Sequence, residues 1–277
     1  MFENVIGHTN QKQILETMIN KKNISHAYLF SGNKGIGKCT LAKEFAKKIL
    51  NVDNLQACPD YKYISKREDK KDIIVEQIRK DIIDNVYQAP AACEKKVYII
   101  DDAETLNTAA QNALLKTLEE PPNYIVIILI SSNISGFLST IISRVNNISF
   151  DGITKEELNS YIINKFNITL DDDILSYIDG SIGTAIYIIT NKLHDKFLKI
   201  KEIYNILKTK DFVKVESMLE NVNFTEDNML DYLEFLLFND YYYNCVKYVE
   251  RAKKRLKSNG NYDIVIDTML LKIIDSM

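Results

Sequence analysis

Apolar and polar positions fall into blocks along this chain, and the blocks change character near residue 150. Before that point, short apolar runs, "HAYLFSG", "KKVYIIDDAE" and "NYIVIILISSN", end in glycine, carboxylates or small polar residues. Runs that are apolar at every position and bounded by turn formers or charge read as strands buried on both faces of a parallel sheet. Between them apolar residues recur at helical spacing: Leu41, Phe45 and Ile49 in "KCTLAKEFAKKIL", then Ile78, Ile82 and Val86 in "VEQIRKDIIDNVY". A third helical pattern, "AAQNALLKTLEE", is stopped by Pro121 and Pro122. Strands alternating with helices predict a doubly wound α/β layer, which a short strand, "NNISF", closes near residue 150.

From "TKEELNSYIINKF" onward the strand pattern is gone. Thr154 and Glu157 have the spacing of a capping box, and Leu158, Tyr161 and Ile162 form an apolar stripe behind it. A turn at "DGSIG" separates this small helical unit from an all-helical tail that starts near Asn191 and contains "LDYLEFLLFNDYYYNCVKYVERAKKRLK". Its tyrosines and leucines need sister helices, or another chain, to cover them. The expected organisation is an α/β nucleotide-fold domain over residues 1–150, a helical lid over 151–190 and a helical C-terminal domain over 191–277.

Composition narrows the setting. Four cysteines, Cys39, Cys58, Cys93 and Cys245, lie scattered with no C-x-x-C pair, which predicts free thiols in a reducing compartment. The opening "MFENVIGHTNQKQ" lacks a basic region followed by an apolar segment, and runs such as "YIVIILI" are too short to span a bilayer. A cytoplasmic protein without membrane contact is expected. A net charge of −3 argues against a chain-wide electrostatic footprint for nucleic acid. One segment departs from that balance: "KYVERAKKRLK", Lys247 to Lys257, gathers six positive charges. It reads first as a solvated helix face and second as a DNA contact.

The chemistry concentrates at "SGNKGIGKCT", Ser31 to Thr40, where the first strand gives way to a helix. Against the phosphate-loop pattern G-x-x-x-x-G-K-[ST], Gly32, Gly37 and Lys38 fall on register, with Asn33, Lys34 and Gly35 between them. Glycines let backbone N–H groups converge on phosphate oxygens, the helix N-terminus adds positive potential, and the lysine neutralises charge. Cys39, however, stands where the magnesium-binding hydroxyl belongs, and a thiol is a poor ligand for a hard cation. Thr40 comes one residue late, about 100° round the helix. The acidic strand end "VYIIDDAE" supplies Asp101 as the magnesium-orienting carboxylate. Where a glutamate would activate water it has the shorter Asp102, and Glu104 lies farther along; a carboxylate displaced by about 1 Å costs orders of magnitude in rate. In "ISRV", Ser143 and Arg144 precede the last strand, and the arginine is either a surface charge or a finger reaching a phosphate on an adjacent subunit.

At "VYIIDDAETLNTAAQNALLKTLEEPP" the sequence resembles the clamp-loader branch of the AAA+ ATPases, and within it the delta-prime family of bacterial DNA polymerase III. "VIGHTNQKQIL", "SHAYLFSGNKGIGK", the "IRK" at Ile78 to Lys80 and the serine-arginine pair follow in the family's order, over about residues 1–150. The resemblance implies an AAA+ P-loop domain, a small lid and an all-α collar. It implies a role in DNA replication as part of a hetero-pentamer of motor and clamp-opening subunits, which loads a sliding clamp on primed DNA. It further implies a stator that holds ATP weakly or without hydrolysis, with Arg144, next to Ser143, as a finger in trans. Three departures stand out. Only Cys58 remains of the family's four-cysteine zinc module, so no zinc is expected; Val145 replaces the cysteine that usually ends the serine-arginine motif; and "GSIGTA" places Thr184 at the lid's phosphate-sensing arginine. The alternative within the branch is a self-sufficient motor ATPase. A nucleotide kinase ranks last, since no arginine cluster precedes the tail.

Overall fold

The alternation of the first 150 residues is realised as one five-stranded sheet, all of whose pairings are parallel. The computed structural model describes residues 2–67, 70–219, 222–226 and 228–277. The strands are β1 (Ala27–Ser31), β2 (Tyr61–Ile64), β3 (Lys96–Ile100), β4 (Ile125–Ser131) and β5 (Asn146–Ser149), in the order β2-β3-β4-β1-β5. The register pairs Ser31 with both Ser131 and Ser149, and Ile100 with Leu129, so the carboxyl ends of β1, β3, β4 and β5 share one edge. In parallel α/β sheets that edge is where ligands bind.

Each inner strand divides its side chains between two cores. Tyr28, Phe30, Val97, Ile99, Val126 and Ile128 face one, with Leu15 of helix α1 (Thr9–Asn20) and Leu41 and Phe45 of helix α2 (Lys38–Leu50). Leu29, Tyr98, Ile100, Ile127 and Leu129 face the other, with Leu114 and Leu118 of the helix Thr108–Glu119. Burial on both sides is why these runs are apolar at every position. The second core also takes Ile78, Ile82 and Val86, all fully buried. Their spacing of four exceeds the α-helical 3.6 and would drift by about 40° per step. A π-helical stretch, Arg79–Ile83, between the turns Val75–Ile78 and Asp84–Val86 takes up that excess.

Strand β2 is an element that the apolar pattern does not predict. It lies at the sheet edge and only Ile64 is fully buried, so "YKYI" shows no continuous apolar run. The capping box forms as expected: the Glu157 N–H donates to Thr154 Oγ1 at 3.3 Å and the Thr154 N–H to Glu157 Oε2 at 3.4 Å.

The chain resolves into two compact units, Met1–Tyr161 with Gly180–Gly183, and Ile162–Asp179 with Thr184–Met277. Among its described residues the second has helices and no strand; the helices include His194–Lys208, Met229–Asn239, Tyr243–Lys257 and Tyr262–Ser276. Sister helices cover many of the tail's aromatics: Phe197 and Tyr232 are buried with ring centroids 4.8 Å apart, and Tyr177 packs 5.2 Å from Tyr232. Phe238, Tyr241 and Tyr243 stay exposed at 60%, 76% and 52%. Among the described residues no helix is long and apolar enough to cross a membrane.

Candidate nucleotide-binding site

β1 delivers the chain to the carboxyl edge at Ser31, and the loop begins at Gly32 with φ 147°. A Cβ there would lie 2.2 Å from the Phe150 carbonyl oxygen, so only glycine fits. Gly35, at φ 79°, is closed in similarly by Ser181, and its carbonyl accepts from the Gly183 N–H at 2.8 Å. Gly37 is the N-cap of α2. None of the N–H groups of Lys34, Gly35, Ile36 and Gly37 donates to another backbone carbonyl among the described residues. Unpaired donors at a helix N-terminus form an anion cradle, and a polyphosphate fits it.

Lys38, the first residue of α2, is buried, and its ammonium donates to the carbonyls of Gly32 and Asn33, each at 2.6 Å. Burial pulls its pKa below the ordinary lysine value, against the raising influence of Glu104, Asp101 and Asp102. His8 braces the loop from outside: its Nε2 lies 2.6 Å from the Ile36 carbonyl. A carbonyl only accepts, so Nε2 carries the hydrogen. Nothing in the spacing of the sequence had marked His8.

The metal locus is built differently. Asp101, just past the end of β3, accepts a 2.6 Å hydrogen bond from the Tyr63 hydroxyl at Oδ2 and a 3.0 Å bond from the Asp102 N–H at Oδ1. Cys39 Sγ lies 3.9 Å from the same hydroxyl, and Lys43 Nζ sits 4.5 Å from the Tyr63 ring centroid. Burial first, then the charge of Asp101, push the Cys39 thiol up, so it is neutral at physiological pH. Burial and the bond to Asp101 likewise push the Tyr63 phenol up. A neutral thiol and a carboxylate already occupied by a phenol do not fit magnesium, which demands oxygen ligands in near-octahedral array. Thr40 is exposed, and with Cys39, Tyr61 and Tyr63 lines a cleft of 440 Å³.

Asp102 adopts the left-handed conformation, φ 48°, opening a short 3₁₀ turn. Glu104, on that turn, accepts from both the backbone N–H and the hydroxyl of Ser132, just past the end of β4, leaving Oε2 buried without a partner among the described residues. Burial would raise its pKa, but the Ser132 bonds hold it below the ordinary value. Ser143 and Arg144 lie apart from the loop in sequence, at the end of a short helix, Ser139–Ile142. The Arg144 guanidinium donates to the Thr140 carbonyl at 2.9 Å and to Ser143 Oγ at 3.1 Å, and pairs with Glu119 at 2.9 Å. It is half-exposed.

Cys58 and Cys93, which the sequence left scattered, bring their sulfurs to 3.5 Å, and with Asp60 their ligand atoms lie within 4.8 Å. Both Asp60 oxygens are already taken, Oδ1 by the Ala91 N–H and Oδ2 by those of Ala92 and Cys93. Two thiols and an engaged carboxylate fall short of the four free ligands a structural zinc takes. Of the six charges in Lys247–Lys257, Lys253 pairs with Asp231 and Glu234, whereas Arg251, Lys254 and Arg255 line a groove with Lys272.

A parallel sheet carrying this loop at one strand end and paired acids at another, in a chain with a helical C-terminal unit, defines a protein of the AAA+ class. A family model described as DNA polymerase III, delta subunit, matches residues 7–154, more than half of the chain, and the chain belongs to that family. It is 34% identical to DNA polymerase III subunit tau of Bacillus subtilis over 79% of this chain and 40% of that relative. It is 32% identical to the gamma subunit of Buchnera aphidicola (Schizaphis graminum) over 70% of this chain and 58% of that relative. The chain thus spans roughly half the length of these relatives. A solved structure, a DNA polymerase III gamma subunit-related protein of Thermotoga maritima, superposes with a TM-score of 0.62 at 18% identity, covering 95% of this chain and 99% of that one. This last likeness is one of fold.

Proposed function

We propose that this chain is a clamp-loader subunit of a bacterial DNA polymerase III that holds ATP or ADP at residues 32–40 without turning it over appreciably, and that it lends Arg144 to the nucleotide site of a neighbouring subunit. The observation that carries this reading is the metal locus: Cys39 replaces the hydroxyl, and Asp101 is engaged by Tyr63. Asp102 is too short for the water-activating role, and Glu104 is turned onto Ser132. Hydrolysis needs a positioned cation and base, and neither is assembled here. Arg144 is half-exposed and held by surface contacts, as a group that must reach another chain should be. The proposed partners are the motor and clamp-opening subunits, with the clamp and primed DNA met through the assembly.

A second reading is a motor ATPase of the gamma/tau kind. The names of the relatives favour it over the first, since the two described above are tau and gamma subunits. Steady-state ATPase measurement on the isolated chain separates the two. The first reading expects turnover indistinguishable from that of Lys38→Ala. Magnesium-dependent turnover that Lys38→Ala abolishes would install the second reading in its place.

A further inference from the structure

We propose that the loop of this chain takes a nucleoside di- or triphosphate free of divalent cation, and that Tyr63 is the residue that keeps the cation out. The inference rests on the reading of residues 32–40 as a nucleotide site and goes beyond it.

The cradle and the metal locus are in opposite states. The N–H groups of Lys34 to Gly37 have no backbone acceptor among the described residues, and Lys38 stands at the mouth of the helix with its ammonium on loop carbonyls. These groups offer a polyphosphate its donors and one full positive charge. The position beside Asp101, by contrast, is filled from within the chain. Tyr63 reaches it from β2, where pairing with β3 sets Tyr63 opposite Ile99 and the buried Ile64 anchors the next residue. Its hydroxyl takes Asp101 Oδ2 while the backbone takes Oδ1, so both carboxylate oxygens are engaged. On the other side of the hydroxyl lies a sulfur in place of an oxygen ligand. Lys43, 4.5 Å from the Tyr63 ring, adds a positive charge that disfavours a second cation nearby.

Magnesium would have to compete with the Tyr63 hydroxyl for Asp101 Oδ2 and accept a thiol in its coordination sphere, while giving up tightly held waters. A metal-free nucleotide asks for none of this. Tyr63 is therefore a positioning residue: it touches the metal-orienting carboxylate and is not required by the phosphate cradle.

The test measures binding of fluorescent ADP to the full chain in millimolar magnesium and in EDTA, for wild type, Tyr63→Phe, and Cys39→Thr combined with Tyr63→Phe. The Phe variant keeps the ring and its packing, and circular dichroism checks its fold. Because magnesium sequesters free ADP, wild type is expected to bind several-fold more weakly in magnesium than in EDTA, and the double variant to bind about tenfold tighter in magnesium. Manganese in place of magnesium gives a second readout: the electron paramagnetic resonance signal of a manganese–ADP mixture should not broaden further on adding wild type, and should broaden on adding the double variant. A wild type that gains tenfold on adding magnesium overturns the proposal. So does a double variant indifferent to magnesium, or a wild type that binds no ADP in either condition. An empty loop would also remove nucleotide holding from the proposed function and leave its Arg144 role standing, whereas magnesium-dependent turnover by the isolated chain would remove the metal-free reading and the non-hydrolysing one together.

Discussion

Arg144→Ala, introduced into a reconstituted loader, is expected to slow ATP hydrolysis at the adjoining subunit's site by about 10³-fold or more, the range a trans-acting arginine contributes. The chain itself should fold as before. Arg144 is half-exposed, and its contacts are the Thr140 carbonyl, the Ser143 hydroxyl and Glu119, all at the surface. An exposed ion pair of this kind contributes about 0–1 kcal/mol, so the guanidinium leaves Glu119 for a phosphate at little cost. Lysine at this position should not restore the rate, because a point charge lacks the planar fork that grips a transferring phosphoryl group. Glu119→Gln, which only frees the arginine, should leave turnover close to wild type. The readouts are ATPase activity of the complex and thermal unfolding of the isolated variant. Undiminished activity in the alanine complex would return Arg144 to the status of a surface charge.

The largest stability effect outside the apolar core is expected from Asp60→Ala, a loss of about 2–4 kcal/mol, since it leaves three backbone donors without their charged acceptor. Asp60 is 3% exposed and accepts from Ala91, Ala92 and Cys93 at 2.7, 2.7 and 2.8 Å, tying the segment before β2 to the one before β3. Part of the penalty is relieved because Ala91 and Ala92 are exposed and water can reach them. Burial works to raise the Asp60 pKa, but these bonds, with Lys96, hold it below the ordinary carboxylate value. The unfolded chain therefore binds the proton more readily than the native one. The stabilisation is complete above the ordinary carboxylate range and is lost as pH falls through the depressed native value. Urea unfolding at neutral and acidic pH should show the wild type losing this increment on acidification and the alanine variant lacking it at both. Equal midpoints for the two proteins at neutral pH would contradict the assignment.

How much of this was legible in the sequence depended on distance along the chain. The inner strands declared themselves because Tyr28, Leu29, Val97 and Tyr98 must each be apolar for one core or the other. The phosphate loop and the Thr154–Glu157 box are local geometries whose residues lie within a few positions of one another. Tyr63 was invisible for the opposite reason. It meets Asp101 across 38 residues of sequence and sits on an edge strand whose exposed positions break the apolar pattern. The alternation of tyrosines in "YKYI" was the available signal, masked by the cysteine-bearing stretch around it. His8 against Ile36, Cys58 against Cys93 and Asp60 against residues 91–93 are likewise pairings that only the sheet brings about. The serine-arginine pair was found by resemblance, whereas its tether to Glu119 belongs to the fold.

The outermost position of β2 has a thermodynamic corollary. A strand with a neighbour on one side alone frays at lower free energy than those hydrogen-bonded on both, and Tyr63 rides on such a strand. Unzipping the rim of the sheet would withdraw the phenol and bare the carboxylate while the centre of the sheet stayed intact. The balance between shielded and bared acid is thus set by an edge ladder of the sheet, below the cost of global unfolding.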